Sequence, residues 1–293
     1  MLSNETSNLN HEGFFPKVSV VVPVYNGEAD IPALIDCLLT QTYPHDCVEY
    51  ILVDNASSDR TGAIIQAAAL NAKKQGVNIC YLSENRIQSS YAARNAGIRA
   101  STGEIIAFTD ADCRPKPDWL YALVQPFAES TVGCVGGAIM ALPGKTLFEH
   151  YSERREILSH KKAATHPFLP YAAGANLAIR SQTLQDIGLF RPYLTTGGDA
   201  DICWRVQRQS SWKFSMAEQA IIQHRHRTNL WELRKQFRRY GRSSKYLEEL
   251  YNIVLVKYMP TPKENFRSFG PAVPDGVLQL HQSSQPFSSG LYQ

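Results

Sequence analysis

Two aspartates one residue apart, Asp110 and Asp112, occupy the turn Thr109-Asp110-Ala111-Asp112 directly after the apolar run Ile105-Ile106-Ala107-Phe108. On an extended turn this spacing lets one carboxylate point toward a ribose while the other reaches a divalent cation that bridges a diphosphate. Mg²⁺ or Mn²⁺ suits such a place, because hard cations take oxygen ligands and complete their octahedron from phosphates and water. A third carboxylate, Asp54 in Val53-Asp54-Asn55-Ala56-Ser57-Ser58-Asp59, ends another apolar run. Either aspartate taken singly reads equally well as an ordinary turn cap. Both at predicted strand ends point to a ligand. Arg94 lies among small residues in Tyr91-Ala92-Ala93-Arg94-Asn95-Ala96-Gly97 and asks for an anion, while its neighbours fit either helix-on-sheet packing or close approach of a ligand. Gly197-Gly198-Asp199-Ala200-Asp201 opens a helical pattern, where Asp199 is a helix N-cap or a general base and Asp201 a first-turn acid facing the helix dipole.

These residues need a scaffold, and the chain supplies alternating β and α signals. Val18 to Val24, Glu49 to Val53, Val77 to Leu82 and Ile105 to Phe108 are short β-branched or apolar runs separated by stretches of helical period, as in βα units of a parallel sheet. Ligands of such sheets bind beyond the carboxyl ends of the strands. Past Pro115-Lys116-Pro117 the pattern is mixed: a helix near Asp118 to Ala128, a strand near Thr131 to Met140, an amphipathic stretch from Thr146 to Lys161, and a strand from Tyr171 to Ile179. A helix from Gly198 to Gln209 and a longer basic one from Leu230 to Tyr251 follow.

In that order the segments VSVVVPVYNGEADIPALIDCLLTQTYP, EYILVDNASSDRT, AARNAGIRASTGEIIAFTDADCRP, GANLAIRS and GGDADICWR resemble the family 2 glycosyltransferases over nearly the whole ordered length. The resemblance implies a GT-A fold, a mostly parallel central α/β sheet flanked by helices, with a nucleotide-diphosphate sugar donor, a UDP-sugar first, a divalent metal and inversion at the anomeric carbon. It further implies that Pro23, Tyr25 and Asp54 line the nucleobase pocket, with Asp54 meeting uracil. Arg94 would approach the nucleotide, Asp110 the ribose and diphosphate, and Asp112 the metal. Asp199 matches the catalytic base, although Gly198 stands where the family usually carries Glu; Asp201 is the next carboxylate should Asp199 not serve. Gln236-Phe237-Arg238-Arg239-Tyr240 resembles the Gln-x-x-Arg-Trp motif of processive members with Tyr240 in place of Trp, and brings Arg239 toward diphosphate or acceptor. His224-Arg225-His226-Arg227 fits a metal ligand or phosphate contact, but a solvated basic loop is the preferred reading.

Composition bounds the rest. With 293 residues and 44% hydrophobic content the chain can bury a large core, and a net charge of +3 is too mild for wholesale nucleic-acid binding. Six dispersed cysteines show no metal or disulfide spacing, and the first sixteen residues lack a signal pattern, so a cytoplasmic protein is expected. No apolar run is long enough to span a bilayer, which disfavours a polymer-secreting synthase. The basic helix holds Arg234, Lys235, Arg238, Arg239, Arg242 and Lys245, a solvated face or one for peripheral contact with the inner membrane face, and a lipid-linked acceptor stays open beside sugar or other hydroxyl acceptors. Expected boundaries are a disordered segment at 1–16, the transferase domain at 17–228, a basic helical extension at 229–264 and a flexible tail at 265–293. A pyrophosphorylase or a dehydrogenase would need a Gly-rich phosphate loop after the first strand, where this chain has Pro-Val-Tyr-Asn-Gly-Glu. A catalytically inactive binding or scaffolding relative is the alternative from another class.

Overall fold

The computed structural model describes residues 14–253 apart from 156 and 158; the expected tail at 265–293 lies outside them, as do 1–13 and 254–264. Strands β1 (Val18–Val24), β2 (Val48–Asp54), β3 (Asn78–Ser83) and β4 (Ile105–Phe108) alternate with helices α1 (Ile31–Leu39), α2 (Thr61–Lys74) and α3 (Ser90–Ala100). Every residue of β1, β2 and β4 is buried, as strands covered on both faces must be. Then come β5 (Cys113–Pro115), α4 (Trp119–Val124), β6 (Val132–Ala141), α5 (Leu147–Arg154), α6 (His160–Ala164), β7 (Leu177–Arg180), α7 (Ser181–Ile187), α8 (Gly198–Gln209), β8 (Lys213–His224) and α9 (Leu230–Tyr251).

The eight strands form one sheet in the order β3-β2-β1-β4-β7-β6-β8-β5. β3, β2, β1 and β4 run parallel, β7 is antiparallel to β4 and β6, and β5 is antiparallel to β8. Since the chain winds outward through β2 and β3 and then returns to place β4 on the other side of β1, a crevice opens at the carboxyl ends of β1 and β4. Alternation along β1 feeds two cores: Val20 and Val22 join Leu34, Leu38 and Trp119 on one face, while Val21 joins Ile51, Phe108, Tyr91 and Phe190 on the other.

The small residues of α3 have a packing role. A Cβ on Gly97 would come within 2.3 Å of Val21 Cγ1, so this glycine lets the helix lie close on the sheet. That contact fixes the height of Arg94 above the strand ends.

Several elements differ from the expected ones. Residues 14–16 are packed against the domain: Phe15 meets the Tyr43 ring edge-on at 5.5 Å, and Tyr43 Oη donates to the Pro16 carbonyl at 2.6 Å. The stretch 146–161 holds two helices, because Thr146 and Glu149 form a capping box at the start of α5 and Ser159 caps α6 by accepting from Lys162 N. β7 begins only at Leu177. The Gly174 amide N–H before it donates to a side chain, Asp199, in place of a strand partner. β8 is absent from the sequence reading because its pairing with β6 shifts register between Gly137 and Ala138, opposite Ala217 and Ile221, which breaks the alternation a strand normally shows.

Candidate active site

β1 ends in Pro23 and Val24 and continues through Tyr25, Asn26 and Gly27, with Asn26 in the left-handed region at φ 49°. β4 ends at Phe108, and the next four residues carry Asp110 and Asp112 across the same end of the sheet. Between them lies a cleft of about 450 Å³ lined by Pro23, Tyr25, Asn55, Arg94, Asp110, Asp112, Asp199, His224, Arg227 and Arg239 among others. A larger groove of about 750 Å³ along α2 and β3 has no carboxylate in its lining.

Asp110 and Arg94 form an ion pair at 2.5 Å, with the Arg94 side chain 5% exposed. A Cβ on Gly174 would lie 3.0 Å from the guanidinium carbon, so the loop before β7 encloses the arginine. Arg94 Nε is buried and has no hydrogen-bond partner among the described residues, which leaves donor capacity next to the cleft.

Asp112 faces His224, whose Nε2 lies 3.4 Å from Oδ1, with Arg227 at 3.9 Å from Oδ2. The ladder between β5 and β8 makes this happen by placing Cys113 opposite His224. His224 is therefore no solvated loop residue: it is 7% exposed, and its Nδ1 is buried without a partner. Potential ligand atoms of Asp112, Cys113 and His224 lie within 4.8 Å of one another. Burial, then the charges of Asp112 and Asp110, push the Cys113 thiol well above its ordinary range. The Asp112 carboxylate and the His224 imidazole face each other directly there. That pair fits a divalent cation.

Asp199 sits in the first turn of α8, and among the described residues its carboxylate bonds outside its own helix. Its Oδ1 accepts from Tyr91 Oη at 3.0 Å and its Oδ2 from Gly174 N at 2.9 Å. Tyr91 Oη in turn accepts from Gly198 N at 2.9 Å and so serves the open end of α8. The Tyr91 phenol is held far above its ordinary range by burial and by the Asp199 charge, so it remains a donor. A Cβ on Gly198 would come within 2.8 Å of the Tyr91 ring. The family's usual Glu has no room at this position, because Tyr91 occupies the space.

Asp201 is fully buried and cannot act as a second base. Its oxygens accept from Arg191 Nε and Arg205 Nε, each at 3.1 Å, and from Tyr251 Oη at 2.8 Å. Asp54 is not among the residues lining the cleft. It is 8% exposed, accepts from Ser57 N at 3.0 Å and lies beside Gly62 and Tyr81, away from the cleft lining. Asn55 takes the lining position, because the chain turns toward β1 there, with Asn55 N donating to the Val24 carbonyl. Its Nδ2 donates to the Glu84 and Ile87 carbonyls at 2.7 and 2.9 Å, so Oδ1 is the polar atom left for a ligand.

Pro23, Tyr25, Arg94, Asp110, Asp112, Asp199 and Arg239 are thus brought to one cleft. The cleft also holds Asn55, Tyr91 and Gly174, to which the sequence assigns no role, and His224, which it places in a solvated loop. Only His224 carried a signal, as part of the HRHR run; the others depend on contacts across 25 or more positions.

Comparison with known proteins shows the family and the fold. The family model "Glycosyl transferase family 2" matches residues 19–188, and "Glycosyl transferase family group 2" matches 105–278. Glycosyltransferase AglE of Haloferax volcanii is 34% identical over 230 residues, covering 76% of this chain and 71% of that protein. The pre-mycofactocin glycosyltransferase of Mycobacterium tuberculosis is 28% identical over 240 residues, 78% of this chain but 46% of its own length. Among solved structures, mannosyltransferase PcManGT from Pyrobaculum calidifontis, in complex with GDP-Man and Mn²⁺, superposes with a TM-score of 0.63 at 22% identity, covering 86% of this chain and 68% of that one. Glucosyl-3-phosphoglycerate synthase from Mycobacterium tuberculosis, in complex with Mn²⁺, UDP-Glc and phosphoglyceric acid, gives 0.59 at 20% identity, with 82% of each chain covered.

Proposed function

The chain belongs to glycosyl transferase family 2 and has the GT-A fold, and from that premise we propose an inverting transfer of a sugar from a nucleoside-diphosphate donor to an acceptor hydroxyl. The observation that carries the reading is the convergence of Asp112 with His224, and of Asp199, on one cleft at the ends of β1 and β4. Asp112 and His224 would hold the divalent cation, Mn²⁺ or Mg²⁺, which when bound neutralises charge on the departing diphosphate. Asp199 takes the proton of the acceptor hydroxyl as its oxygen bonds to the anomeric carbon, and the bond from that carbon to the diphosphate oxygen breaks on the opposite face. One base and one leaving group on opposite sides give inversion. Tyr91 and Gly174 hold the carboxylate in place by one hydrogen bond to each oxygen. Arg94 fixes Asp110 toward the nucleotide, and Arg239 stands at the rim for diphosphate or acceptor.

The donor we favour is a UDP-sugar. Uracil presents a ring N–H, and Asn55, its own NH₂ already donated to two carbonyls, supplies the acceptor Oδ1 for it, with Tyr25 and Pro23 beside the base. The acceptor belongs to polysaccharide, glycolipid or other glycoconjugate synthesis, with a lipid-linked acceptor compatible with the open, cationic rim. The test is a panel of UDP- and GDP-sugars incubated with the protein and Mn²⁺, scored by released nucleoside diphosphate. Release should peak with one UDP-sugar, stop with EDTA and return with Mn²⁺ or Mg²⁺. Absence of turnover with every donor, together with a melting temperature unmoved by UDP and Mn²⁺, would support a non-enzymatic binding role instead.

A further inference from the structure

Helix α9 is electrostatically unlike the rest of the chain. α9 holds six basic and three acidic residues, a net charge of +3 that equals the net charge of the whole chain, so the remainder is balanced. α9 is fastened through the stripe Leu233, Gln236, Ser243 and Leu247, all buried. With 3.6 residues per turn the opposite face carries Trp231, Arg234, Lys235, Arg238, Arg242 and Lys245. Trp231 is 70% exposed and the adjoining Leu230 49%.

Arg234, Arg238 and Arg242 follow one another at four-residue spacing on that face. Like charges so placed repel, and a helix evolved only for solution would interleave acids among them. Among the described residues none of Arg234, Lys235, Arg238 and Arg242 forms an ion pair, and Lys245 meets Glu249 only at 3.9 Å. A nucleic acid would call for closely spaced exposed aromatics to stack on; α9 exposes three, Trp231, Phe237 and Tyr246, six and nine positions apart, and Trp231 adjoins an aliphatic residue. An aromatic and a leucine at the start of a lysine- and arginine-rich helix face match the interfacial level of a bilayer.

We propose that this face of α9 docks on an anionic phospholipid surface, with Trp231 and Leu230 entering the boundary between headgroups and acyl chains and the arginines and lysines meeting lipid phosphates. Among the described residues no helix is long and apolar enough to cross a membrane, so this contact is peripheral. Gln236, Arg239 and Tyr240 on the inner side of the same helix line the cleft. Docking therefore places the cleft about one helix diameter, roughly 10 Å, from the headgroups. Under the transferase reading, that is where a lipid-borne acceptor would be met; the docking itself does not depend on that reading.

The test is co-sedimentation of the full chain with vesicles of phosphatidylcholine alone and of phosphatidylcholine with phosphatidylglycerol in equal parts. The protein should sediment with the anionic vesicles only, be released by high salt, and show a blue shift of tryptophan emission that disappears in Trp231→Phe. The triple variant Arg234→Glu, Lys235→Glu, Arg238→Glu touches no cleft residue. It should keep its melting temperature and its nucleotide-sugar turnover with a soluble acceptor, while losing about tenfold or more in vesicle binding. Equal sedimentation with both vesicle types, none with the anionic ones, or undiminished binding by a folded triple variant would overturn the proposal. Binding to heparin or RNA that matches vesicle binding, with no tryptophan shift on vesicles, would overturn it in favour of a soluble polyanion.

Discussion

The Asp199 carboxylate accepts one hydrogen bond on each oxygen, from Tyr91 and from the Gly174 amide, so it has a fixed orientation and keeps lone pairs for an incoming hydroxyl. Asp199→Asn retains the shape but cannot take a proton. We expect kcat to fall by about 10²–10⁴-fold with donor affinity nearly unchanged, measured by turnover and by calorimetric titration with the donor and Mn²⁺. Tyr91→Phe keeps the ring on Phe190, which it stacks at 5.5 Å, and removes only the hydroxyl. The loss in kcat should be smaller, about tenfold, because the Gly174 bond persists and the base remains. If Asp199→Asn turned over at the normal rate, the assignment of the base would fail. Asp201 would not replace it, enclosed as it is by Arg191, Arg205 and Tyr251.

Helix α8 carries both the proposed base and a structural acid. Residues 199 and 201 point to different sides of the first turn, one into the cleft and the other into the protein, where Arg205 also donates to the carbonyls of Ile187, Gly188 and Leu189. Removing the Asp201 charge strands Arg205 in a site where its side chain is 6% exposed. A buried pair broken on one side typically costs about 3–5 kcal/mol, so Asp201→Asn should lower unfolding stability by that order. Tyr251→Phe should cost about 1.5–3 kcal/mol, having lost one hydrogen bond to a charged carboxylate. Urea unfolding of both variants checks the ranking; an Asp201→Asn protein as stable as the parent would refute the network's role.

For the molecule as a whole, a buried carboxylate ties together the strands that frame the cleft. Glu49 on β2 accepts from Ser19 Oγ on β1 at 2.5 Å and from Thr102 N and Oγ1 before β4 at 2.7 and 2.8 Å. Burial alone would raise its pKa, but these hydrogen bonds to the charged form outweigh burial and hold it below the usual carboxylate range. A folded-state pKa lower than the unfolded one gives stability that is complete above about pH 4.3, the ordinary glutamate value, and is lost as pH falls through the lower folded-state value. The parent should therefore lose stability on acidification below that point. Glu49→Gln should start lower and show a shallower acid limb when unfolding free energies are compared at a series of pH values.

Much of this was legible in the order of the residues. Unbroken apolar runs such as Val18 to Val24 announced strands buried on both faces, and their period against the intervening helices announced a parallel sheet whose ligand end lies at Asp110 and Asp112. α8 and α9 fall where their periodicity put them, because helical signals are local. The partners of those residues were not local. His224 reaches Asp112 only because β8 pairs antiparallel with β5 across more than a hundred positions, and β8 itself was hidden by a break in its alternation. Asp54 and Asn55 are neighbours in the chain and both nearly buried, yet at the end of β2 the first accepts from Ser57 N while the second lines the cleft. Sequence determined which side chains were chemically equipped and at which end of the sheet they lie, since those depend on residue type and short-range period; which of them meet was decided by strand pairing and by the space left at Gly198 for Tyr91, which depend on the whole chain being folded.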